Sequence, residues 1–140
     1  MIEHLFNGKA FRLRYPAVMG ILNVTPDSFS DGGLFETRAR CLERCHEMVL
    51  NGADIIDVGG ESTRPGAERV DPEEQIRRTR DVIKGIRSRS DVVISIDTTR
   101  SEVARAGLDA GADVVNDVSA GTERIAQRRA LRVLDVWQRG

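Results

Sequence analysis

The chain has 140 residues, of which 40% are hydrophobic and 31% are charged, with a net charge of −1. These values are typical of a globular protein with one core and exclude a disordered chain. Without a basic excess to neutralise phosphates, a nucleic-acid-binding protein is disfavoured. No apolar run approaches the ~20 residues of a membrane span, and the N-terminal residues lack the pattern of a signal peptide. We therefore expect a cytoplasmic protein that binds neither nucleic acid nor membranes.

The N-terminal part of the chain predicts a hairpin followed by a buried strand. Two short apolar runs flank Asn7 and Gly8, a pair that favours a tight β-turn. Pro16 separates this hairpin from residues 17–24, whose apolar run is typical of a buried parallel strand. We expect the hairpin to cover the bottom of the structure that follows.

Residues 36–50 predict the first helix, because their apolar side chains recur on one helical face. Cys41 and Cys45 lie one turn apart in this helix. A zinc site would need further ligands at suitable spacing, and the only histidines are His4 and His46. Buried, reduced thiols are therefore the favoured interpretation.

Further strands then alternate with helices. The strands are predicted at residues 55–59, 92–96 and 114–118, and the helices at residues 71–88 and 101–108. Asp71 and Ser101 can cap the two helices, Pro72 suits the first helical position, and Glu74 can close a capping box.

An internal echo supports this alternation. The sequence GADIIDV at residues 52–58 resembles GADVVNDV at residues 111–118, which indicates a repeated β/α unit. Alternating strands and helices predict parallel strands with crossover helices. A doubly wound sheet and a (β/α)8 barrel both satisfy this pattern.

Every predicted parallel strand carries polar residues at or near its carboxyl end. These residues are Asn23, Asp57, Asp97, Asn116 and Asp117. Because the carboxyl ends of parallel strands meet at one edge, the pattern predicts a shared site there. The chain has no glycine-rich dinucleotide or P-loop motif, so those phosphate sites are disfavoured.

Several stretches of the chain resemble dihydropteroate synthase, a family of the folate pathway. They are MGILNVTPDSFSDGG at residues 19–33, DVGGESTRPG at 57–66, SIDT at 95–98 and NDVS at 116–119. The resemblance implies an α/β fold of the (β/α)8 TIM-barrel family, here about four β/α units preceded by the hairpin. It also implies condensation of 6-hydroxymethyl-7,8-dihydropterin diphosphate with p-aminobenzoate to 7,8-dihydropteroate, a sulfonamide-sensitive reaction. A methyltetrahydrofolate-type methyltransferase is disfavoured by residues 23–33.

The resemblance assigns roles to individual residues. Asp97 and Asn116 match pterin ligands, since a carboxylate can accept two parallel N–H groups and an amide suits a mixed edge. Asn23 matches a ligand of Mg²⁺, whose coordination the diphosphate and water would complete. Thr63 matches a contact to the pterin diphosphate. Arg64 would bind either the leaving diphosphate or the p-aminobenzoate carboxylate, and no general base is implied.

The resemblance covers residues 1–121, the predicted N-terminal half of a pterin-binding domain. Residues 122–140 form a divergent, arginine-rich tail that predicts no fifth buried strand. Family members continue for about as many residues again, so a barrel would be truncated here. The alternative function is therefore a non-catalytic truncated fragment or a pterin-binding remnant. An open sheet edge would also favour a homo-oligomer.

Overall fold

The computed structural model describes residues 2–6, 9–13, 16–25, 34–61, 66 and 69–117. Its elements are β1 (Ile2–Phe6), β2 (Lys9–Leu13), β3 (Met19–Asn23), α1 (Leu34–Leu50), β4 (Ile55–Gly59), α2 (Pro72–Arg89), β5 (Val93–Asp97), α3 (Ser101–Ala110) and β6 (Val114–Asn116). Each predicted element is found close to its predicted bounds. The predicted division at residue 121 and the nature of the tail lie outside the described residues and stay predictions.

The parallel sheet decides between the two folds that the sequence allows. Strands β3, β4, β5 and β6 are hydrogen-bonded neighbours in chain order, and all are parallel. One face of this sheet packs against apolar side chains of all three helices. The sheet residues on this face are Leu22, Ile56, Val58, Ile94, Ile96 and Val115. Sequential strands with the helices on one face form one side of a (β/α)8 barrel, whereas a doubly wound sheet carries helices on both faces.

The N-terminal hairpin covers the lower part of the opposite face. β1 and β2 pair in an antiparallel register. Leu13 at the end of β2 packs with Ile55, Val93 and Val114, the first residues of β4, β5 and β6, and with Met19 beside them. The predicted structural role of the hairpin is confirmed.

The first parallel strand is less buried than the sequence predicts. In β3, Leu22 is buried by the helices, but Ile21 is 55% exposed and Val18 just before the strand is 50% exposed. Within the described sheet, β3 pairs on one side only, with β4. The inward face of β3 therefore lacks the neighbour that buries the corresponding positions of β4 and β5.

The repeated Gly-Ala-Asp sequence ends two helices in the same way. Gly52 after α1 has φ 102° and Gly111 after α3 has φ 125°, backbone conformations that favour glycine. In the first copy, the N–H groups of Gly52 and Ala53 donate to the carbonyls of Val49 and Met48 at 3.1 and 2.9 Å. The second copy repeats this pair of bonds. Both ends are Schellman motifs.

The aspartates of the repeat tie the start of each following strand to its neighbour. Asp54 accepts a hydrogen bond from the N–H of Val18 at 2.8 Å, and Asp113 accepts one from the N–H of Ile94 at 3.1 Å. In return, each aspartate N–H donates to the carbonyl of the same partner. The sequence echo is thus a repeated structural link across parallel strands.

The start of α2 differs from the predicted capping box. Pro72 occupies the beginning of the helix as predicted, but the side chain of Asp71 makes no capping hydrogen bond. Glu74 instead accepts hydrogen bonds from Arg77 at 2.7 Å and Arg78 at 3.1 Å. The bond from Arg77 is the main reason that the pKa of Glu74 is lowered to about 2. Charge-assisted bonds within the helix therefore replace the expected cap.

The predicted cap of α3 is also wrong. Arg100 occupies the N-cap position, and Ser101 is the first helical residue. The Ser101 hydroxyl donates to Glu102 at 3.1 Å, while Thr98 Oγ1 accepts a bond from the N–H of Arg100 at 3.0 Å. The turn before α3 is therefore held by Thr98.

The two cysteines of α1 are free and buried, as the sequence predicts. Cys41 is 0% exposed, and burial, with a smaller effect of Cys45, raises the pKa of its thiol to about 11. Such thiols act as core residues.

Among the residues that the structure describes, no helix combines the length and the apolar character of a membrane span.

Candidate active site

Three of the predicted site residues lie in one row across the sheet. Asn23 is opposite Gly59, Gly59 is opposite Asp97, and Asp97 is opposite Asn116. Asn23, Asp97 and Asn116 are the last residues of their strands. Since neighbouring strands are about 4.8 Å apart, the row spans roughly 14 Å. It lies on the face opposite the helices, at the carboxyl ends of the strands.

Gly59 has no side chain in the middle of this row, directly beside Asp97. A Cβ atom at Gly59 would lie 3.4 Å from the Cβ and 3.5 Å from the Oδ2 of Asp97. Any larger side chain would therefore cover the carboxylate from the β4 side. With glycine there, a flat group can approach Asp97 between the flanking amides Asn23 and Asn116.

A buried hydrogen-bond network lies one layer below the row. Asp57 in β4 is opposite Ser95 in β5. Ser95 Oγ donates to Asp57 Oδ1 at 2.5 Å, and Asn116 Nδ2 donates to Asp57 Oδ2 at 3.2 Å. Exposures of 2%, 0% and 5% for Asp57, Ser95 and Asn116 show that the network is closed to solvent. Burial raises the pKa of Asp57, while the two hydrogen bonds lower it.

Sequence reasoning did not assign roles to Asp57 and Ser95. The available signal was a charged residue inside the apolar strand β4, facing a serine inside the apolar strand β5. Only the register of the sheet brings the two side chains together.

Asp97 carries the largest electrostatic perturbation at the row. Burial, together with the smaller effects of the negative charges of Asp57, Asp117 and Glu61, raises the pKa of Asp97 to about 7. A ligand that donates hydrogen bonds to this carboxylate would favour its ionised form. The site is therefore prepared for a neutral or cationic group that carries N–H donors.

The remaining predicted site residues, Thr63 and Arg64, lie outside the described residues. The described positions on either side are held together at the carboxyl end of β4. Glu61 Oε2 accepts a hydrogen bond from the N–H of Val70 at 2.6 Å, and Gln75 Nε2 donates to the Val70 carbonyl at 2.8 Å. In the described part of the chain, no three His, Cys, Asp or Glu residues form a metal-binding group.

The raised pKa of Asp97 predicts a pH-dependent stability. In the unfolded chain an aspartate loses its proton near pH 4, while folded Asp97 keeps it until about pH 7. Because the folded state then binds more protons, its free energy of unfolding decreases as the pH rises through this window. When the pH rises from 4 to 8, the free energy of unfolding of Asp97→Asn should therefore increase by roughly 1–3 kcal/mol relative to that of the wild type. Urea unfolding at both pH values measures this, and a constant difference would contradict it.

In barrel enzymes the active site lies at the carboxyl ends of the parallel strands, which is where these polar residues are gathered. A family model described as pterin binding enzyme matches residues 19–137 of the chain. This match covers well over half of the sequence. The chain belongs to the pterin-binding enzyme family.

Its relatives are dihydropteroate synthases. The enzyme of Streptococcus pyogenes serotype M1 is 57% identical over 105 residues, which are 75% of this chain and 40% of that protein. The Xanthomonas albilineans enzyme with 4-aminobenzoic acid is 45% identical with a TM-score of 0.78, over 84% of this chain and 44% of that one. The structure of the Xanthomonas albilineans enzyme in complex with 7,8-dihydropteroate is 40% identical with a TM-score of 0.70, over 86% of this chain and 42% of that one. The chain spans less than half the length of these relatives.

Proposed function

We propose that this chain supplies the pterin site of a dihydropteroate synthase. The reaction would join 6-hydroxymethyl-7,8-dihydropterin diphosphate to p-aminobenzoate and give 7,8-dihydropteroate. The observation that carries the proposal is the row formed by Asn23, Gly59, Asp97 and Asn116 at the strand ends. The names of the relatives and the products in their complexes support the same reaction.

In this proposal Asp97 and Asn116 bind the pterin ring. The amino-pyrimidinone edge of a pterin carries parallel N–H donors, and the Asp97 carboxylate can accept two of them at once. Asn116 offers both an acceptor and a donor to the mixed edge of the ring. Gly59 has no side chain that would cover the carboxylate from the β4 side, so a planar ring could approach it there.

Asn23 would bind Mg²⁺ together with the substrate. Its amide oxygen is a hard ligand at the end of β3, in the same row as Asp97. One neutral oxygen makes an incomplete magnesium site, so the substrate diphosphate and water would complete it. The ion would neutralise charge on the departing diphosphate. Thr63 would contact the diphosphate, and Arg64 either that group or the carboxylate of p-aminobenzoate.

The side chains of this chain would act by binding and electrostatics. The bond between the exocyclic methylene carbon and the diphosphate oxygen breaks, and the amine nitrogen of p-aminobenzoate then bonds to that carbon and releases a proton. Positive charge develops on the methylene and the ring between these events. Asp57 and Asp117 lie close enough to Asp97 for their charges to raise its pKa, and the three carboxylates would stabilise that charge. An arylamine is neutral at pH 7, so no general base is needed.

Two further parts of the proposal concern location and assembly. Buried reduced thiols at Cys41 and Cys45 support a cytoplasmic protein, since that compartment keeps thiols reduced. The exposed apolar side chains of Val18 and Ile21 support a homo-oligomer that would cover them. Sulfonamides would compete at the p-aminobenzoate position.

The test combines binding with product formation. The part of the Streptococcus pyogenes relative that this chain does not match is expressed separately and mixed with the 140-residue chain. With Mg²⁺ and both substrates, we expect 7,8-dihydropteroate from the mixture, detected by mass spectrometry, and none from the separate second part. Pterin binding without product would favour the alternative of a pterin-binding remnant. Absence of both would reject the proposed function.

A further inference from the structure

The buried carboxylate of Asp57 makes no direct contact with the ligand in the proposed reaction. Asp57 is 2% exposed and lies one layer below the row that would meet the ligand. It is nevertheless bonded to Asn116, one of the proposed pterin ligands. Besides the effect of its charge, Asp57 can therefore act on the ligand through that amide.

The contact determines how the Asn116 amide is oriented. An ionised carboxylate has acceptors only, so the atom of Asn116 that faces it must be the nitrogen. A flipped amide would place Oδ1 about 3.2 Å from Asp57 Oδ2, where two partial negative charges repel. With the nitrogen held, Oδ1 and the second N–H of Asn116 remain for other partners.

Ser95 prevents the carboxylate from turning away. Its hydroxyl donates to the other oxygen of Asp57 at 2.5 Å, and Ser95 itself is 0% exposed. Asp57, Ser95 and Asn116 come from the adjacent strands β4, β5 and β6, so the sheet register fixes their spacing. A fully bonded buried network of this kind is rigid, and loss of one member leaves the others unsatisfied.

We propose that Asp57 is a positioning residue, held by Ser95, that fixes the Asn116 amide so that its carbonyl oxygen and one N–H face the ligand. This inference rests on the proposed function, because the ligand is taken to be a pterin. It makes Asp57 a determinant of which hydrogen-bonding edge the site accepts. A purely structural role would affect stability without changing ligand affinity.

The first readout follows the amide itself and needs no ligand. The chain has only four asparagines and three glutamines, so their side-chain NH₂ signals are readily assigned by NMR. In the wild type, an Asn116 amide proton should exchange with solvent far more slowly than those of the exposed Asn51. In Asp57→Leu, the Asn116 amide loses its acceptor, so its signals should shift and its exchange should accelerate.

The second readout is the affinity for 6-hydroxymethylpterin, measured by calorimetry on the same samples. Asp57→Leu should weaken it about tenfold or more, because Asn116 is then free to flip and to present two donors. Asp54→Leu is the matched control, since Asp54 lies just before β4 and its carboxylate bonds the backbone of Val18 instead of a site residue. That variant should lose stability but keep both the Asn116 signals and the affinity.

Each outcome decides the inference. Unchanged Asn116 signals in Asp57→Leu, or changed signals with unchanged affinity, would overturn it. If the wild type binds no pterin, the proposed function fails, and the exchange of the Asn116 amide alone decides whether Asp57 orients it. If Asp57→Leu does not fold, Ser95→Ala takes its place and should change the same signals in the same direction by less.

Discussion

Asp97→Asn is expected to weaken pterin binding by roughly 2–4 kcal/mol, about 30-fold to 1000-fold. The carboxylate can accept two N–H groups from the ring, whereas the asparagine amide has one acceptor and would turn its own donors toward the second N–H. Asp97 ends β5 beside Gly59, which has no side chain to cover the carboxylate from β4. Its replacement therefore removes the central contact of the row.

The measurement is calorimetry at pH 8 on the mixture proposed above, which contains this chain and the separately expressed second part of the Streptococcus pyogenes relative. At that pH Asp97 is ionised, because its pKa is about 7. Near pH 6 the wild-type affinity should fall toward that of the variant. Asp109→Asn on α3 is the control, since this residue lies on the outer side near Arg80 and Lys84. Equal affinities for the wild type and Asp97→Asn would remove Asp97 from the site.

The sequence predicts the row because its signal is local. Asn23, Asp97 and Asn116 each end an apolar run, and the carboxyl ends of parallel strands meet at one edge. The alternation of strands and helices and the stops at Gly52 and Gly111 are equally local. These features follow from residues that are neighbours in the chain.

Features that depend on register or on competing partners do not follow from the sequence. The bond between Ser95 and Asp57 joins residues 38 positions apart, and the bond between Asn116 and Asp57 joins residues 59 apart. The strand order that favours a barrel is likewise a long-range property. The predicted caps are wrong for a different reason, since the side chains of Glu74 and Ser101 bond to partners other than the predicted ones.

A second long-range contact lies at the opposite end of the strands. Arg87 Nη2 donates to Asp113 Oδ2 at 2.5 Å, and the side chain of Asp113 is 3% exposed. Arg87 also donates through Nε to the carbonyl of Gly111 at 3.1 Å and through Nη1 to that of Val92 at 3.0 Å. One side chain thus ties the end of α2 to the strand entrances of β5 and β6.

Arg87→Ala is therefore expected to lower the free energy of unfolding by about 3–5 kcal/mol. The variant leaves the buried Asp113 carboxylate without its cation and removes the hydrogen bonds of Arg87 to the carbonyls of Ser90, Val92 and Gly111. Arg77→Ala is the matched control on the same helix, because Arg77 pairs with Glu74 but is 59% exposed. Solvent screens such an exposed pair, so Arg77→Ala should change stability little. Urea unfolding of both variants measures the contrast, and similar losses would show that burial of the Arg87–Asp113 pair does not determine its contribution.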